Sequence, residues 1–174
     1  MNDLQKFIRN VPDFPKKGIV FRDITTLLKD KDAFRQVVDT FYDDYRNQAV
    51  DAVVGIEARG FLLASSLAYK LGVGVVPVRK PGKLPAETLR VEYELEYGTD
   101  ALEIHRDAIA AGQRILIVDD LLATGGTVSA TCEMVEKLGG HIVGLAFLIE
   151  LDFLRGRDKL KGYQIRTLIH YQHE

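Results

Sequence analysis

Residues 115–127 read ILIVDDLLATGGT: an apolar run, two adjacent aspartates, then a Thr-Gly-Gly-Thr turn. Gly125 and Gly126 let the backbone curl until successive amide N–H groups point inward. A helix starting there adds its unpaired N-terminal amides and about half a positive charge from its dipole. The hydroxyls of Thr124 and Thr127 are further donors, so the segment reads as a monophosphate cradle that needs no lysine. Asp119 and Asp120 cannot share that anion, because like charges repel. They suit hydroxyl donors or a Mg2+ ion, and a molecule with a phosphate at one end and a vicinal diol at the other satisfies both halves. A ribose 5-phosphate has that form. The plainer reading is a strand end, a turn and a helix cap, but two carboxylates at the end of a buried strand are costly unless used.

Two more segments end apolar runs in polar residues: GIEARG at 55–60 and PVRKPGK at 77–83. In open α/β sheets ligands gather at the C-terminal ends of strands, so the convergence of three such segments carries more weight than any one motif. Glu57, Arg59 and Gly60 alone would read as a salt-bridged turn; beside a phosphate cradle, Arg59 becomes a candidate for a second anion. Arg79, Lys80 and Lys83 add positive charge, although solvated surface is the usual fate of such side chains. From pattern alone, Glu96 and Tyr97 are an exposed carboxylate and its neighbour on a hairpin. His170 and His173 read as a polar tail rather than a metal pair, His105 and His141 have no partner pattern, and Cys132 falls on the apolar face of a helix.

The elements that must hold these residues follow from periodicity. Leu4, Phe7 and Ile8 suggest a short helix stopped near Pro12, followed by an irregular Pro- and Gly-rich connection at 13–23. Phe34, Val37, Val38, Phe41 and Tyr45 mark one face of a helix over 32–47. A buried strand at 50–56, a helix from Gly60 to Leu71 ended by Gly72, and a strand at 73–78 form a βαβ unit, which implies parallel pairing. The connection at 79–90 is basic and long, a length that goes with mobile functional loops. Alternation around Tyr93, Leu95 and Tyr97, with a turn at 98–100, predicts a hairpin into 101–108. The run before Asp119 is a central strand, Val128 to Leu138 a helix, 142–151 a buried strand and 163–171 an edge strand. The fold class is α/β: one domain over 1–174, built on a mainly parallel twisted sheet with helices on both faces.

At 174 residues, 47% hydrophobic and 28% charged, the chain has the composition of a soluble globular domain. A net charge of −2 offers no general attraction for nucleic acid or for an anionic membrane surface. One cysteine excludes an internal disulfide and suits a reducing cytosol. The first ten residues carry Asp3, Lys6 and Arg9 with no apolar signal core, and no stretch approaches the ~20 apolar residues of a membrane helix.

The run VDDLLATGGT resembles the phosphoribosyl pyrophosphate signature of the type I phosphoribosyltransferase family. FPKKGIVFRDIT at 14–25, GIEARGF at 55–61, RKPGKLP at 79–85 and YELEYGTDALEIHRDAI at 93–109 extend the likeness over nearly the whole chain, in the order of the adenine branch. The resemblance implies that branch's fold, with a small hood over 1–30 and a flexible loop over 79–100, and a homodimer working in the cytoplasm with Mg2+. It implies transfer of the phosphoribosyl group to adenine, giving AMP and pyrophosphate in purine salvage. By the same resemblance Asp119 and Asp120 hold the ribose hydroxyls, and Ala123, Thr124, Gly125, Gly126 and Thr127 hold the 5′-phosphate. Arg59, with Lys83, Arg79 and Lys80, meets the pyrophosphate, in a loop that relatives often strain with a cis peptide. Phe21 and Leu121 sandwich the base, backbone groups near Val20 and Arg22 read its edge, and Glu96 handles its proton. Pro81 stands where relatives often carry another residue.

Other readings explain less. A P-loop requires a lysine after its last glycine, and GVGVVP at 72–77 lacks the third glycine of a dinucleotide fingerprint. A phosphoacceptor receiver would leave TGGT without a use, and a regulator that only senses the activated sugar would need a DNA-binding segment that the N-terminus is too short to hold. Lys159 and Lys161 are candidates for a 6-oxopurine contact, but VFRD near the N-terminus favours adenine.

Overall fold

The chain opens with a 3-10 turn at Leu4–Phe7 and then pairs β1 (Arg9–Val11) antiparallel with β2 (Phe21–Asp23). Helices α1 (Thr25–Lys29) and α2 (Lys31–Tyr45) lead to β3 (Ala52–Ile56), α3 (Gly60–Leu71) and β4 (Gly74–Val78). A hairpin of β5 (Thr88–Glu94) and β6 (Thr99–His105) follows, then β7 (Arg114–Leu122), α4 (Gly126–Lys137) and β8 (His141–Leu151). Two 3-10 turns, Asp152–Leu154 and Gly156–Lys159, precede the last strand, β9 (Ile165–Tyr171). The structure is a computed structural model and describes residues 3–94 and 99–173.

The main sheet has the order β4-β3-β7-β8-β9, and its neighbours all pair in parallel. Side chains alternate across each strand, so the central strands β3, β7 and β8 feed two cores, while the edge strand β4 feeds one. Val53, Leu116, Val118, Ala146 and Leu148 pack beneath α2 and α3, with Val37, Phe41, Leu63 and Leu67. Val54, Ile115, Ile117, Leu145 and Phe147 pack on the other face, against α4 and the hairpin, with Val128, Val135, Leu102 and Ile104. Both faces being covered explains why the strands read as apolar runs rather than as alternating ones.

The chain leaves β3 for β4 on one side and leaves β7 for β8 on the other, with α3 and α4 on opposite faces. The strand order therefore reverses between β3 and β7, and the loops after these two strands open a crevice at their C-terminal ends. That is where 57–59 and 123–125 sit.

The N-terminal expectation needs correcting. The predicted helix is a single 3-10 turn, and part of the predicted irregular connection is β2, paired with β1 through Val11 and Phe21. Three-residue strands bring too few side chains to show a period, and α1 is likewise too short. Among the described residues of 79–100, the irregular part ends where β5 starts at Thr88, and Arg79 exchanges two backbone hydrogen bonds with Glu103 of β6, at 3.0 and 2.8 Å. Among the described residues, no helix is long and apolar enough to cross a membrane.

Candidate active site

Asp119 and Asp120 lie near the C-terminal end of β7, which runs on through Leu122, with Asp120 only 5% exposed. The backbone N–H of Asp120 donates to Asp119 Oδ1 at 2.9 Å, which fixes the first carboxylate over its own strand. Arg59 comes across from the start of α3 and puts Nε 2.7 Å from Asp120 Oδ2. Even so, that buried oxygen accepts no hydrogen bond of proper geometry. Burial pushes both carboxyls above the usual carboxylate range; the neighbouring Asp120 charge adds to the effect on Asp119, whereas Arg59 works against it on Asp120. The pair is short of donors. A sugar diol has two.

The cradle follows directly. Gly125 takes a left-handed conformation, φ 79°, to turn the chain into α4, and Gly125 and Gly126 are both buried. Residues Asp119, Leu121–Val128 line one cleft of about 80 Å³. Asp119 and the helix N-terminus thus open on one hollow, sized for a small group. Thr124 is exposed and Thr127 half-buried, its Oγ1 lying 3.4 Å from the hydroxyl of Tyr93.

The basic residues gather around Glu57 and not around Arg59. Lys83 Nζ donates to Glu57 Oε1 at 2.9 Å, Arg79 Nε to Oε2 at 3.2 Å, and the backbone N–H of Lys80 to Oε2 at 2.9 Å. Burial acts to raise the Glu57 pKa, but these donors outweigh it and hold the carboxyl at about 2. The Lys80 ammonium pairs with Asp100, and both meet the hydroxyl of Tyr93. Glu57–Ala58 is a non-proline cis peptide, in the loop where the family resemblance implies one.

On the N-terminal side the guanidinium of Arg59 lies 4.9 Å from the ring of Phe21, which meets Phe14 edge-on at 5.2 Å. Leu121 is half-buried and lines the cleft. Val20 leads into β2, while the Arg22 side chain turns inward, over the Tyr171 ring at 4.0 Å and onto Asn10 at 2.7 Å. Only the backbone of Arg22 is left for a ligand. Glu96 and Tyr97 lie outside the described residues. Cys132 is buried on α4, as its spacing predicts, and Lys159 and Lys161 are exposed.

Sequence reasoning missed two organisers of this region. Glu57 looked like one half of a turn ion pair, yet it is the hub of three donors from the basic loop. Tyr93 was read only as part of an alternating strand; its hydroxyl joins the hairpin to Lys80, Asp100 and the cradle threonine. Alternation signals the strand but not the contact at its far end.

A doubly wound sheet with an acid pair and an amide cradle at its switch point defines a domain of the phosphoribosyl-transferring class. The family model for the phosphoribosyl transferase domain matches residues 23–169. An adenine phosphoribosyltransferase of Solibacter usitatus is 61% identical over 98% of this chain and 99% of its own. The crystal structure of adenine phosphoribosyltransferase from Thermoanaerobacter pseudethanolicus superposes with a TM-score of 0.94 at 57% identity, covering 97% of this chain and 98% of that one. The Saccharomyces cerevisiae enzyme, complexed with an imino-altritol bisphosphate and adenine, gives 0.90 at 42% identity, covering 95% and 96%. This chain belongs to the adenine phosphoribosyltransferase family and has the type I phosphoribosyltransferase fold.

Proposed function

We propose that this crevice transfers the 5-phosphoribosyl group from phosphoribosyl pyrophosphate to adenine, forming AMP and releasing pyrophosphate. The observation that carries the reading is Asp119 opening on the same cleft as the amide cradle, beside the buried, donor-poor Asp120. The yeast relative, with a bisphosphate sugar analogue and adenine, supports the same pairing of ligands.

In this reading Asp119 and Asp120 accept the ribose 2′- and 3′-hydroxyls, and the amides and hydroxyls of Ala123, Thr124, Gly125, Gly126 and Thr127 take the 5′-phosphate. Adenine lies between Phe21 and Leu121, with backbone groups of Val20 and Arg22 at its edge. Its N9 lone pair forms the new bond to C1′ as the C1′–O bond to pyrophosphate breaks, inverting the carbon. Glu96 exchanges a proton with the base at N7. Positive charge gathers on the sugar beside the carboxylates, and negative charge on the departing pyrophosphate. Arg59 and Lys83, with Arg79 and Lys80, answer the latter.

The donor set fits Mg2+: carboxylate oxygens are hard ligands, and Asp120 Oδ2, ion-paired with Arg59, accepts no hydrogen bond of proper geometry. Asp119 and Asp120 would be the residues near such an ion, and the chemistry it would supply is neutralisation of phosphate charge. Residues 1–30 serve as the hood for the base, and 79–100 as the loop that keeps water from the activated sugar. The working form is a homodimer in the cytoplasm.

Pyrophosphate release, followed with phosphoribosyl pyrophosphate, Mg2+ and a panel of adenine, hypoxanthine, guanine, xanthine and uracil, tests the reading. Reaction with adenine alone is expected. Preference for a 6-oxopurine would transfer the chain to another branch.

A further inference from the structure

The cradle is braced from behind by a segment some thirty residues further along the chain. A Cβ placed on Gly125 would stand 2.5 Å from the carbonyl oxygen of Gly156, and one placed on Gly156 would stand 2.2 Å from the carbonyl oxygen of Ala123 and 3.0 Å from Leu122 Cδ1. Two backbones therefore touch with no room for a side chain on either. Gly125 has a second reason to be glycine, its φ of 79°. Gly156 is outside the left-handed region, so its reason is space alone.

The bracing turn is itself clamped. Arg157 grips Glu150 with two parallel hydrogen bonds, Nε to Oε1 at 2.6 Å and Nη2 to Oε2 at 2.7 Å, and Nη2 also reaches Thr167 Oγ1 at 3.2 Å. Thr167 in turn donates to Glu150 Oε2 at 2.9 Å. Glu150 and Thr167 are almost fully buried on β8 and β9, and Leu160, just past the turn, is 1% exposed. A bidentate arginine–carboxylate pair fixes direction as well as distance. The sheet thus holds Arg157, and the neighbouring Gly156 transmits that hold to the peptide units of 123–125.

We propose that Gly156 and Arg157 are positioning residues for the phosphate end of the sugar: the clamp to Glu150 and Thr167 sets where the cradle amides point. Neither touches substrate, and the inference rests on the reading of 123–127 as the phosphate cradle. Its consequence is selective. Loss of the brace loosens the grip on the sugar phosphate more than the grip on adenine, because the Phe21 wall of that pocket stands on β2 and only its Leu121 wall adjoins the braced segment.

The test compares Gly156→Ala, Arg157→Lys and the double variant Thr124→Val/Thr127→Val with the wild type. KM for phosphoribosyl pyrophosphate and for adenine is measured for each, along with thermal unfolding. Gly156→Ala should raise the first KM about tenfold or more and leave the second within about twofold. Arg157→Lys, which keeps the charge and adds no atom to the cradle, should shift the same KM in the same direction by less, and it keeps the test decisive if Gly156→Ala does not fold. A fall in unfolding temperature with both KM values unchanged, or an equal rise in both, would overturn the proposal. If the threonine variant leaves the sugar KM unchanged, the cradle reading fails and takes this proposal with it. If the threonine variant raises that KM and neither Gly156→Ala nor Arg157→Lys does, the positioning proposal alone fails.

Discussion

Gly60 rests against Asp119 so closely that a Cβ on the glycine would stand 2.5 Å from Oδ1 of the aspartate and 3.2 Å from its Cα. The first residue of α3 and the first acid of the pair are thus one packed unit spanning the switch point. Gly60→Ala must displace the Asp119 carboxylate. It should lower stability by about 1–3 kcal/mol through overpacking. It should also raise KM for phosphoribosyl pyrophosphate severalfold. Steady-state kinetics and thermal unfolding read the two effects, and an unchanged KM would separate Gly60 from the site.

Burial raises the Asp119 pKa, so the folded chain holds that proton more tightly than the unfolded chain does. The favourable contribution is complete below the ordinary carboxylate value of 3.8 and is lost as pH rises through the raised folded value. Above that raised value the wild type carries the cost of a buried charge. Asp119→Asn keeps an acceptor for the Asp120 N–H and removes that cost, so without substrate its unfolding temperature should gain on the wild type's as pH rises. A difference that stays the same between pH 4 and pH 8 would contradict the assignment.

Glu57 has the opposite sign. Its folded pKa is about 2 against an ordinary 4.5, so its contribution is present above 4.5 and disappears as pH falls toward 2. Glu57→Gln should cost about 1–2 kcal/mol at pH 7, because Lys83 and Arg79 lose a charged acceptor. Chemical denaturation at several pH values should show that loss shrinking below pH 4.5. A pH-independent difference would mean that the amide fails for reasons of shape.

How much of this was legible in the sequence follows from which signals are local. The α3 helix and its Gly72 end, the α2 face and the apolar run of β7 were readable because each period lies within one element. The pairing of Val11 with Phe21 was not, since three-residue strands leave no period. Asp119, Asp120 and the glycines stood out as residue types out of place. The Glu57 hub and the contact between Gly125 and Gly156 did not, because each joins residues about twenty to thirty apart whose meeting depends on strand order. The reversal between β3 and β7 that makes the crevice is a property of the whole sheet, which no single segment contains.

In the proposed mechanism Glu96→Gln removes the group that exchanges the adenine proton while keeping its size. Turnover should fall by about 100-fold or more, within the range for general acid–base groups, with KM for either substrate changed far less. Steady-state kinetics at saturating substrate checks it. Wild-type turnover would take Glu96 out of the mechanism.

One titration decides the diol assignment. Isothermal calorimetry of phosphoribosyl pyrophosphate into the wild type and into Asp119→Asn/Asp120→Asn, at the same pH and Mg2+ concentration, compares the two acids with their neutral isosteres. The paired acids predict measurable binding to the wild type and none, or a loss of about 100-fold or more, in the double variant. Equal affinity in both would contradict the reading that these acids hold the sugar.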